Sequence, residues 1–216
     1  MSESGAPETQ KKALETKSVV NKRFYAFMMP ALNIVLALFA PLRASGTENI
    51  PKEGAFIMCA NHITGADPFL LAIKTPGRYV RFMGKAELFE GNKLVAWFVR
   101  ALGAFPVHRG QRDMAAMREC LNLLKDGHAV GIFPQGTRSP ENKRLKMENG
   151  VALIALRAKA PVIPAFISGK LRLFRRTTIA FGAPVPLEDL WGKFDAESMN
   201  EATGRIEEAV WGLQGK

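Results

Sequence analysis

The chain of 216 residues contains few cysteines and histidines and lacks one common nucleophile motif. Its two cysteines, Cys59 and Cys120, lie inside apolar segments, which argues against a disulfide framework and favours a reducing compartment such as the cytosol. Its three histidines, at positions 62, 108 and 128, are scattered and predict no metal site. Because no Gly-x-Ser-x-Gly turn is present, a nucleophilic serine of that type is disfavoured.

Acidic residues are also fewer than basic ones. Against 30 Lys and Arg stand 20 Asp and Glu, which gives a net charge of +10 and a pI near 9.9. Such a balance suits nucleic acid, an anionic lipid surface or an acidic carrier. Aromatic residues do not alternate with basic ones, and no zinc-ligand spacing occurs, so the sequence argues against nucleic acid as the partner. An anionic membrane surface and an acidic partner are left.

Short apolar runs alternate with helical patterns along most of the chain, without an internal repeat. This order predicts one α/β domain at residues 43–216, with a mixed, mostly parallel sheet covered by helices. The predicted strands are residues 55–60, 79–83, 104–107, 129–133, 162–167 and 178–181. The predicted helices are residues 68–74, 94–102, 114–125, 151–158 and 197–213.

The N-terminal part has a different composition. Residues 1–23 are mostly polar and are expected to be flexible, whereas residues 24–42 are apolar apart from Asn33. As a helix, that segment would be ~28 Å long, just short of a ~30 Å hydrocarbon core. Pro30 is expected to break it into two pieces, and basic residues at both ends specify no orientation. We therefore expect an anchor lying in the cytoplasmic leaflet of the cell membrane, rather than a single span.

His62 and Asp67 form the first motif that carries chemistry. The apolar run of residues 55–60 precedes them, and Asp67-Pro68 is a typical beginning of a helix. His62 should therefore leave the carboxyl end of a strand, where ligands bind in open α/β sheets. Across such a strand-loop-helix corner the two side chains can meet. The pair predicts a general base, His62, with an orienting carboxylate behind it.

A second motif, Phe-Pro-Gln-Gly-Thr-Arg-Ser at residues 133–139, follows another apolar run and is also expected at a strand end. Gly136 permits close approach of a ligand to the backbone, and Arg138 offers a planar fork that suits phosphate oxygens. Taken alone, the motif is more typical of a surface turn with a solvated arginine than of a phosphate site.

With both motifs in order, the chain resembles the glycerophospholipid acyltransferase family, in particular bacterial 1-acylglycerol-3-phosphate O-acyltransferases (lysophosphatidate acyltransferases). That family carries Asn-His-x4-Asp, Gly-x-x-x-Val-x-Arg, Phe-Pro-Glu-Gly-Thr-Arg-Ser and Val-Pro-x-x-Pro blocks. Here the corresponding blocks are residues 61–67, 103–109, 133–139 and 160–164, and the resemblance extends from about residue 24 to 186. One position departs from the pattern, because Gln135 stands where the family usually has Glu.

The resemblance implies an enzyme that transfers an acyl chain from an acyl thioester to the sn-2 hydroxyl of 1-acylglycerol-3-phosphate, giving phosphatidic acid. The donor would be an acyl-carrier protein or coenzyme A thioester, with no bound cofactor and no metal. His62 and Asp67 would be catalytic. The expected substrate-binding residues are Lys85, Arg109, Gln135, Gly136, Thr137 and Arg138.

Two alternatives stay open at this point. Gln135 brings no negative charge, so the acceptor can instead be another lysolipid, such as a lyso-ornithine lipid, or glycerol-3-phosphate. The other alternative is a non-catalytic, basic, membrane-bound module that recruits an acidic partner. The intact pair of His62 and Asp67 argues against that module, because binding alone does not require it.

Overall fold

A central sheet organises the chain in the computed structural model, which describes residues 21–75, 77–107, 113–139 and 142–215. Within these residues the sheet has seven strands in the order β1-β7-β6-β2-β5-β3-β4. The five strands from β6 to β4 are parallel, whereas β7 pairs with β6 in antiparallel fashion and with β1 in parallel. The strands are β1 (Leu42–Ser45), β2 (Phe56–Ala60), β3 (Val80–Lys85), β4 (Phe105–Val107), β5 (Ala129–Ile132), β6 (Val162–Ile167) and β7 (Thr177–Phe181).

Helices cover both faces of the sheet. Those of the described residues are α1 (Lys22–Phe39), α2 (Asp67–Ile73), α3 (Glu87–Glu90), α4 (Lys93–Ala101), α5 (Met114–Lys125), α6 (Gly150–Ala158) and α7 (Ala196–Trp211). Strand β2 shows how the core is divided, because its residues alternate between two apolar clusters. Phe56 and Met58 pack with α1 and α2, whereas Ile57 and Cys59 pack with α5, α6 and α7. Since both faces are covered, the strand is apolar throughout.

The connections that leave β2 and β5 run in opposite directions. After β2 the chain passes through α2 to β3, whereas after β5 it passes through α6 to β6 on the other side of β2. The two helices lie on opposite faces of the sheet. The carboxyl ends of these neighbouring strands therefore border a topological switch point, the crevice in which open α/β sheets bind ligands. Both sequence motifs begin there.

Helix α1 differs from the expectation in two ways. The predicted break at Pro30 is wrong, because Lys22–Phe39 is one helix with Pro30 inside it. Proline has no N–H, so the carbonyl group of Ala26, four residues earlier, lacks its helical hydrogen-bond donor. Pro30 and Ala26 are both exposed, so this interruption lies on the outer side of the helix, away from its packed stripe. The predicted end at residue 42 is also wrong, since Leu42 begins β1 and is buried. Of the predicted flexible segment, residues 1–20 lie outside the described part, whereas Lys22 and Arg23 are helical.

The remaining predicted elements are confirmed with small shifts at their ends. Residues 114–125 and 162–167 have the predicted bounds, and Asp67 is the first residue of α2 rather than its cap. Strand β1 and the four-residue helix α3 were not predicted. Strand β1 is an edge strand with two exposed residues, Arg43 and Ser45, so it lacks the continuous apolar run of the inner strands.

Candidate active site

His62 and Asp67 meet at the switch point. The Nδ1 atom of His62 lies 2.8 Å from Oδ2 of Asp67, and both residues are buried, with only 6% of the imidazole side chain exposed. Because a carboxylate only accepts hydrogen bonds, a neutral imidazole in this contact carries its proton on Nδ1. The Nε2 lone pair is thereby left to accept a proton. The prediction that the two side chains meet is confirmed, whereas their catalytic role stays a prediction.

The carboxylate of Asp67 also holds the loop that follows β2, residues 61–66, which we call the His62 loop. Its Oδ2 atom accepts the backbone N–H groups of Ile63 at 2.6 Å and Thr64 at 2.8 Å. Its Oδ1 atom accepts the hydroxyl of Thr64 at 2.8 Å. These bonds turn the loop back toward the first residue of α2. Asp67 therefore fixes both the backbone beneath the imidazole and the orientation of the ring.

An aromatic ring supports the imidazole from its face. Phe133 stacks on His62 with the ring centroids 4.1 Å apart and the planes 17° from parallel. Phe82 of β3 stacks on Phe133 in turn, at 5.7 Å between centroids. The imidazole is thus held by a carboxylate at its edge and by a ring on its face, which leaves few rotamers open to it.

Hydrogen bonds join the His62 loop to the loop after β5, residues 133–139, which we call the Gln135 loop. The Oε1 atom of Gln135 accepts the backbone N–H of His62 at 3.1 Å, and the carbonyl of His62 accepts the backbone N–H of Ser139 at 2.7 Å. His62 is therefore bonded through both of its backbone polar groups to the second motif. The Nε2 atom of Gln135 is buried and has no hydrogen-bond partner among the described residues.

Asn61 ties the same loop to the third neighbouring strand, β6. Its Oδ1 atom accepts the backbone N–H of Ile167 at 2.7 Å, and its Nδ2 atom donates to the carbonyl of Ile167 at 2.9 Å. The same Nδ2 donates to Oδ1 of Asn142 at 2.7 Å. Residue 61 thus continues the sheet's hydrogen bonding beyond the end of β2, and it fixes where His62 leaves the sheet.

Three predicted cations have different surroundings. Arg138 lies over the His62 loop, since a Cβ atom added to Gly65 would be 3.4 Å from its Nη2 atom. Among the described residues, no carboxylate forms an ion pair with it. Lys85 ends β3 at the same edge of the sheet, half-exposed, and pairs with Glu87 at 2.7 Å. Arg109 lies outside the described residues, as does His108.

Gly136 and Thr137 form the exposed tip of the Gln135 loop. Gly136 has a φ of +63°, and its N–H donates to the carbonyl of Phe133 at 3.2 Å, which closes a turn. A residue with a Cβ atom is strained at this φ, so glycine is required by the backbone conformation rather than by lack of space. The turn brings Arg138 back toward His62.

An apolar cavity of about 80 Å³ adjoins the site. It begins at Gly65 and Pro68 and runs between α1, α2, β3 and α4. Its other lining residues are Tyr25, Met29, Phe69, Ala72, Val80, Phe82, Met83, Gly84, Leu88, Phe89, Val99, Leu102 and Ala104. Apart from the hydroxyl of Tyr25, these side chains offer only apolar surface, so the cavity suits a hydrocarbon group.

The cysteines do not form a second reactive centre. Cys59 of β2 and Cys120 of α5 are free and fully buried in the apolar cluster between the sheet and the helices α5, α6 and α7. Burial raises the pKa of the Cys59 thiol well above its ordinary value, and it raises the pKa of Cys120 to about 12. The thiolate that a nucleophilic cysteine requires is therefore disfavoured at both positions.

Sequence reasoning assigned no role to several residues that build the site. Asn61, Phe133 and Ser139 belong to the two motifs, so their presence in those motifs was the available signal. Thr64 gave a weaker signal, as a hydroxyl residue at a turn before a helix. The stacking of Phe133 on His62 joins residues about seventy positions apart in the sequence, and spacing alone does not reveal such contacts.

A family model identifies the class of protein to which the chain belongs. The sequence model of the Acyltransferase family matches residues 41–168. That range contains the His62 loop, the Gln135 loop and the strands β1 to β6 of the described part. The chain belongs to this family.

Individual relatives give the comparison more detail. A 1-acyl-sn-glycerol-3-phosphate acyltransferase of Bacillus subtilis is 34% identical over 145 residues, which are 67% of this chain and 71% of that protein. One of Streptococcus pneumoniae is 28% identical over 195 residues, which are 87% of this chain and 72% of that protein. The crystal structure of PlsC, the 1-acyl-sn-glycerophosphate (LPA) acyltransferase of Thermotoga maritima, matches with a TM-score of 0.63 and 27% identity, over 99% of this chain and 85% of that one.

Proposed function

We propose that the chain transfers an acyl group from an acyl thioester to the sn-2 hydroxyl of 1-acylglycerol-3-phosphate, giving phosphatidic acid for phospholipid synthesis. The contact of His62 with Asp67 at the switch point carries this proposal. This positioned base lies near Arg138, which has no carboxylate partner among the described residues, and near an apolar cavity. A phosphorylated lipid acceptor needs these features. The relatives named above support the same activity.

The chemistry is a direct transfer. The Nε2 atom of His62 takes the proton of the acceptor hydroxyl while its oxygen attacks the thioester carbonyl carbon. The new C–O ester bond forms as the C–S bond breaks, and the imidazolium returns the proton to the leaving thiolate. Asp67 holds Nδ1–H and stabilises the imidazolium between these steps. Since such a base is typically worth about 10²–10⁴ in rate, positioning of both substrates supplies much of the remainder.

The phosphate of the acceptor is assigned to the edge that Arg138 covers. Its guanidinium can bind phosphate oxygens in bidentate fashion, and Gly136 and Thr137 offer exposed polar groups beside it. Lys85 is a weaker candidate, because Glu87 already neutralises it. Arg109 completes the set on the basis of sequence alone.

Gln135 is assigned a part in positioning the acceptor. Its oxygen already accepts the N–H of His62, so its amide nitrogen is the group left for a substrate oxygen. A glutamate in this place would offer a second acceptor instead of a donor. This difference favours a second candidate function, the same acyl transfer to another lysolipid or to glycerol-3-phosphate.

The acyl chain is assigned to the apolar cavity, which opens beside the His62 loop. The acyl donor is a thioester of acyl-carrier protein or of coenzyme A. Both are acidic, and the net charge of +10 suits either one. The acyltransferase family needs no metal cofactor.

Helix α1 is assigned to the membrane, with residues 43–216 forming the acyltransferase domain. The helix is long and apolar enough to cross a bilayer by length and composition, yet both of its ends contact the domain. The N–H of Asn21 donates to the carbonyl of Ala101 at 3.1 Å, and the carbonyl of Phe39 accepts the N–H of Phe174 at 2.6 Å. A spanning helix would have to carry one end across the bilayer. These contacts support a monotopic helix, and we assign it to the cytoplasmic face because the two free cysteines favour a reducing compartment.

The exposed side of α1 is suited to lipid. Its buried residues, Tyr25, Met29 and Leu36, form one stripe against the domain. The large apolar residues exposed on its other side are Phe27, Ile34, Val35, Leu38 and Phe39. A patch of this kind marks an interaction surface, and a bilayer is the partner that a lipid substrate implies.

Turnover of a panel of acceptors tests the proposal. The purified chain, in detergent micelles with an acyl thioester, is offered 1-acylglycerol-3-phosphate, a lyso-ornithine lipid, glycerol-3-phosphate and a monoacylglycerol that lacks phosphate. We expect the first to be acylated fastest. Arg138→Ala should lower the rate with phosphate-bearing acceptors more than the rate with monoacylglycerol. If the wild-type chain acylates another acceptor faster, that acceptor is the substrate instead of 1-acylglycerol-3-phosphate. If it acylates none of them, the proposed acyltransferase activity is refuted.

A further inference from the structure

The loop that joins β6 to β7 presents an unusual tip, and we call residues 170–176 the β6–β7 loop. Leu173 and Phe174 stand next to each other at its tip, 70% and 78% exposed. Phe174 is the most exposed of the large apolar side chains in the described part of the chain. Single exposed apolar residues are common on protein surfaces, but two large neighbours at a loop tip form a compact apolar surface that water contacts.

The backbone at this tip does not favour a phenylalanine. Phe174 has a φ of +57°, in the left-handed region that glycine and asparagine occupy most readily. The N–H of Arg175 donates to the carbonyl of Arg172 at 3.2 Å, which closes the turn around the two apolar residues. The exposed ring gains little burial within the chain, so packing of the Phe174 side chain in the folded domain does not offset the cost of that conformation. Strain of this kind is characteristic of functional positions.

Positive charge surrounds the apolar tip. The four cations of the loop, all exposed, are Lys170, Arg172, Arg175 and Arg176. Residues 149–187 contain no aspartate or glutamate. No carboxylate in the described part of the chain forms an ion pair with any of the four. The loop therefore combines an apolar tip with unneutralised cations, the combination that anionic lipid surfaces attract.

The loop lies between the candidate active site and the end of α1. It follows Ile167, whose backbone is bonded to Asn61, and so it starts at the same edge of the sheet as His62. At its tip, the N–H of Phe174 donates to the carbonyl of Phe39 at 2.6 Å. The apolar tip therefore continues the exposed apolar face of α1, on which Leu38 is also exposed.

We propose that the β6–β7 loop is a second membrane contact, in which Leu173 and Phe174 enter the interface of an anionic bilayer and the flanking cations bind lipid phosphates. The proposal rests on the membrane attachment by α1 proposed above. One helix lying on a bilayer leaves the domain free to rotate about the helix axis. A second contact at the active-site edge removes that freedom and holds the entrance beside His62 toward the lipid acceptor. An acidic protein would use the cations, but it would not need two apolar side chains next to α1.

Vesicle binding of the full-length chain tests this contact. Flotation is measured with vesicles of phosphatidylcholine alone and of phosphatidylcholine mixed with phosphatidylglycerol, without any substrate. One variant removes the apolar tip (Leu173→Ser with Phe174→Gly), and another removes two charges (Arg175→Gln with Arg176→Gln). The matched controls lie on α5, beyond the opposite face of the sheet: Met114→Ser, an exposed apolar residue, and Arg118→Gln with Lys125→Gln, two exposed cations.

The two variants should differ in their response to lipid composition. The charge variant should bind vesicles with phosphatidylglycerol about 25-fold more weakly than the wild-type chain. This figure follows from ~1 kcal/mol, or about fivefold in affinity, for each of the two cations. Its binding to neutral vesicles should equal that of the wild-type chain. The tip variant should bind both kinds at least about tenfold more weakly. Because Phe174→Gly relieves the left-handed conformation, the melting temperature of the tip variant should not fall. The controls should bind as the wild-type chain does.

Several outcomes would overturn the proposal. If the wild-type chain binds vesicles and the loop variants bind equally well, the loop is not a membrane contact, whereas the attachment by α1 stands. If the loop variants float as the wild-type chain does but, in a separate transfer assay, lose activity only with the acyl-carrier protein thioester, the loop recognises the carrier protein instead. A wild-type chain that binds neither kind of vesicle refutes the attachment by α1 and this proposal together. Because no substrate is present, a failure of the proposed acyl transfer would not affect these results.

Discussion

At the scale of single residues, the site is organised around Asp67. Its two carboxylate oxygens accept the imidazole of His62, two backbone N–H groups and the hydroxyl of Thr64. Phe133 holds the other side of the imidazole by stacking. His62 therefore needs no movement of its own loop to act as a base.

Gln135 allows the structural part of that arrangement to be measured. Replacing Gln135 by Leu leaves the backbone N–H of His62 buried without an acceptor, which costs about 1–3 kcal/mol. In a chain of this size the melting temperature should fall by ~2–4 °C for each kcal/mol. Gln135→Glu keeps an acceptor oxygen in the same place and should melt close to the wild-type chain. Equal losses for both variants, in thermal unfolding, would show that the hydrogen bond to His62 is not what Gln135 contributes.

The sequence predicts the contacts of this site unevenly. The meeting of His62 with Asp67 follows from a strand end, a short loop and a helix start, which are all local patterns. The stacking of Phe133 and the bond from His62 to Gln135 depend on which strands are neighbours, and local patterns do not contain that information. Arg138 was predicted from the chemistry of its side chain, but its place over Gly65 required the turn at Gly136.

At the scale of elements, burial on both faces decides which strands the sequence predicts well. Strands β2, β5 and β6 are apolar throughout, because helices cover them on both sides. Strand β1 is half-exposed at the edge of the sheet, and its apolar first residue merges with the preceding apolar segment. Helix α1 continues through Pro30 because the proline faces outward, a fact that its position in the sequence does not reveal.

Helix α4 allows the assignment of the apolar cavity to be tested. Val99 lines the cavity, whereas Val95 lies one turn earlier on the same helix, 42% exposed and away from it. Val99→Phe should fill part of the cavity and shift the preference toward shorter acyl thioesters. Val95→Phe adds the same ring outside the cavity and should leave the preference unchanged. The ratio of transfer rates with a long and a short acyl thioester is the measurement, and an unchanged ratio for Val99→Phe would place the acyl chain elsewhere.

At the scale of the whole molecule, α1 and the active-site edge belong to one surface. The helix contacts α4 near its first residues and the loop after β6 near its last, and its outward side is apolar. The opposite face of the sheet is covered by α5, α6 and α7. Arg144, in the segment before α6, forms ion pairs with Glu207 and Glu208 of α7. An apolar outer surface therefore lies next to the candidate active site.

Extraction from membranes tests whether that surface binds lipid. Charge attraction between exposed groups is screened beyond ~10 Å at 0.1 M salt, whereas buried apolar surface is not screened. The full-length chain should therefore remain with membranes in high salt and be released by detergent. Removal of residues 1–42 should abolish most of the binding. Because this truncation also removes Leu42, the first residue of β1, a second variant keeps the chain at full length. It replaces two exposed apolar residues of α1, Ile34→Ser with Leu38→Ser, and should also bind membranes more weakly. Release of the wild-type chain by salt alone would contradict the assignment of α1 to the membrane.

The rate of acyl transfer by a chain that lacks the imidazole tests the central claim most directly. The assay uses 1-acylglycerol-3-phosphate and an acyl thioester in detergent micelles, so that membrane binding does not enter. His62→Ala should lower the rate by about 10²–10⁴, and Asp67→Asn should also be severely impaired, while both variants remain folded. His128→Ala is the matched control, because His128 precedes β5 at the opposite edge of the sheet, and it should transfer at the wild-type rate. A folded His62→Ala variant that transfers acyl groups at close to the wild-type rate would contradict the account.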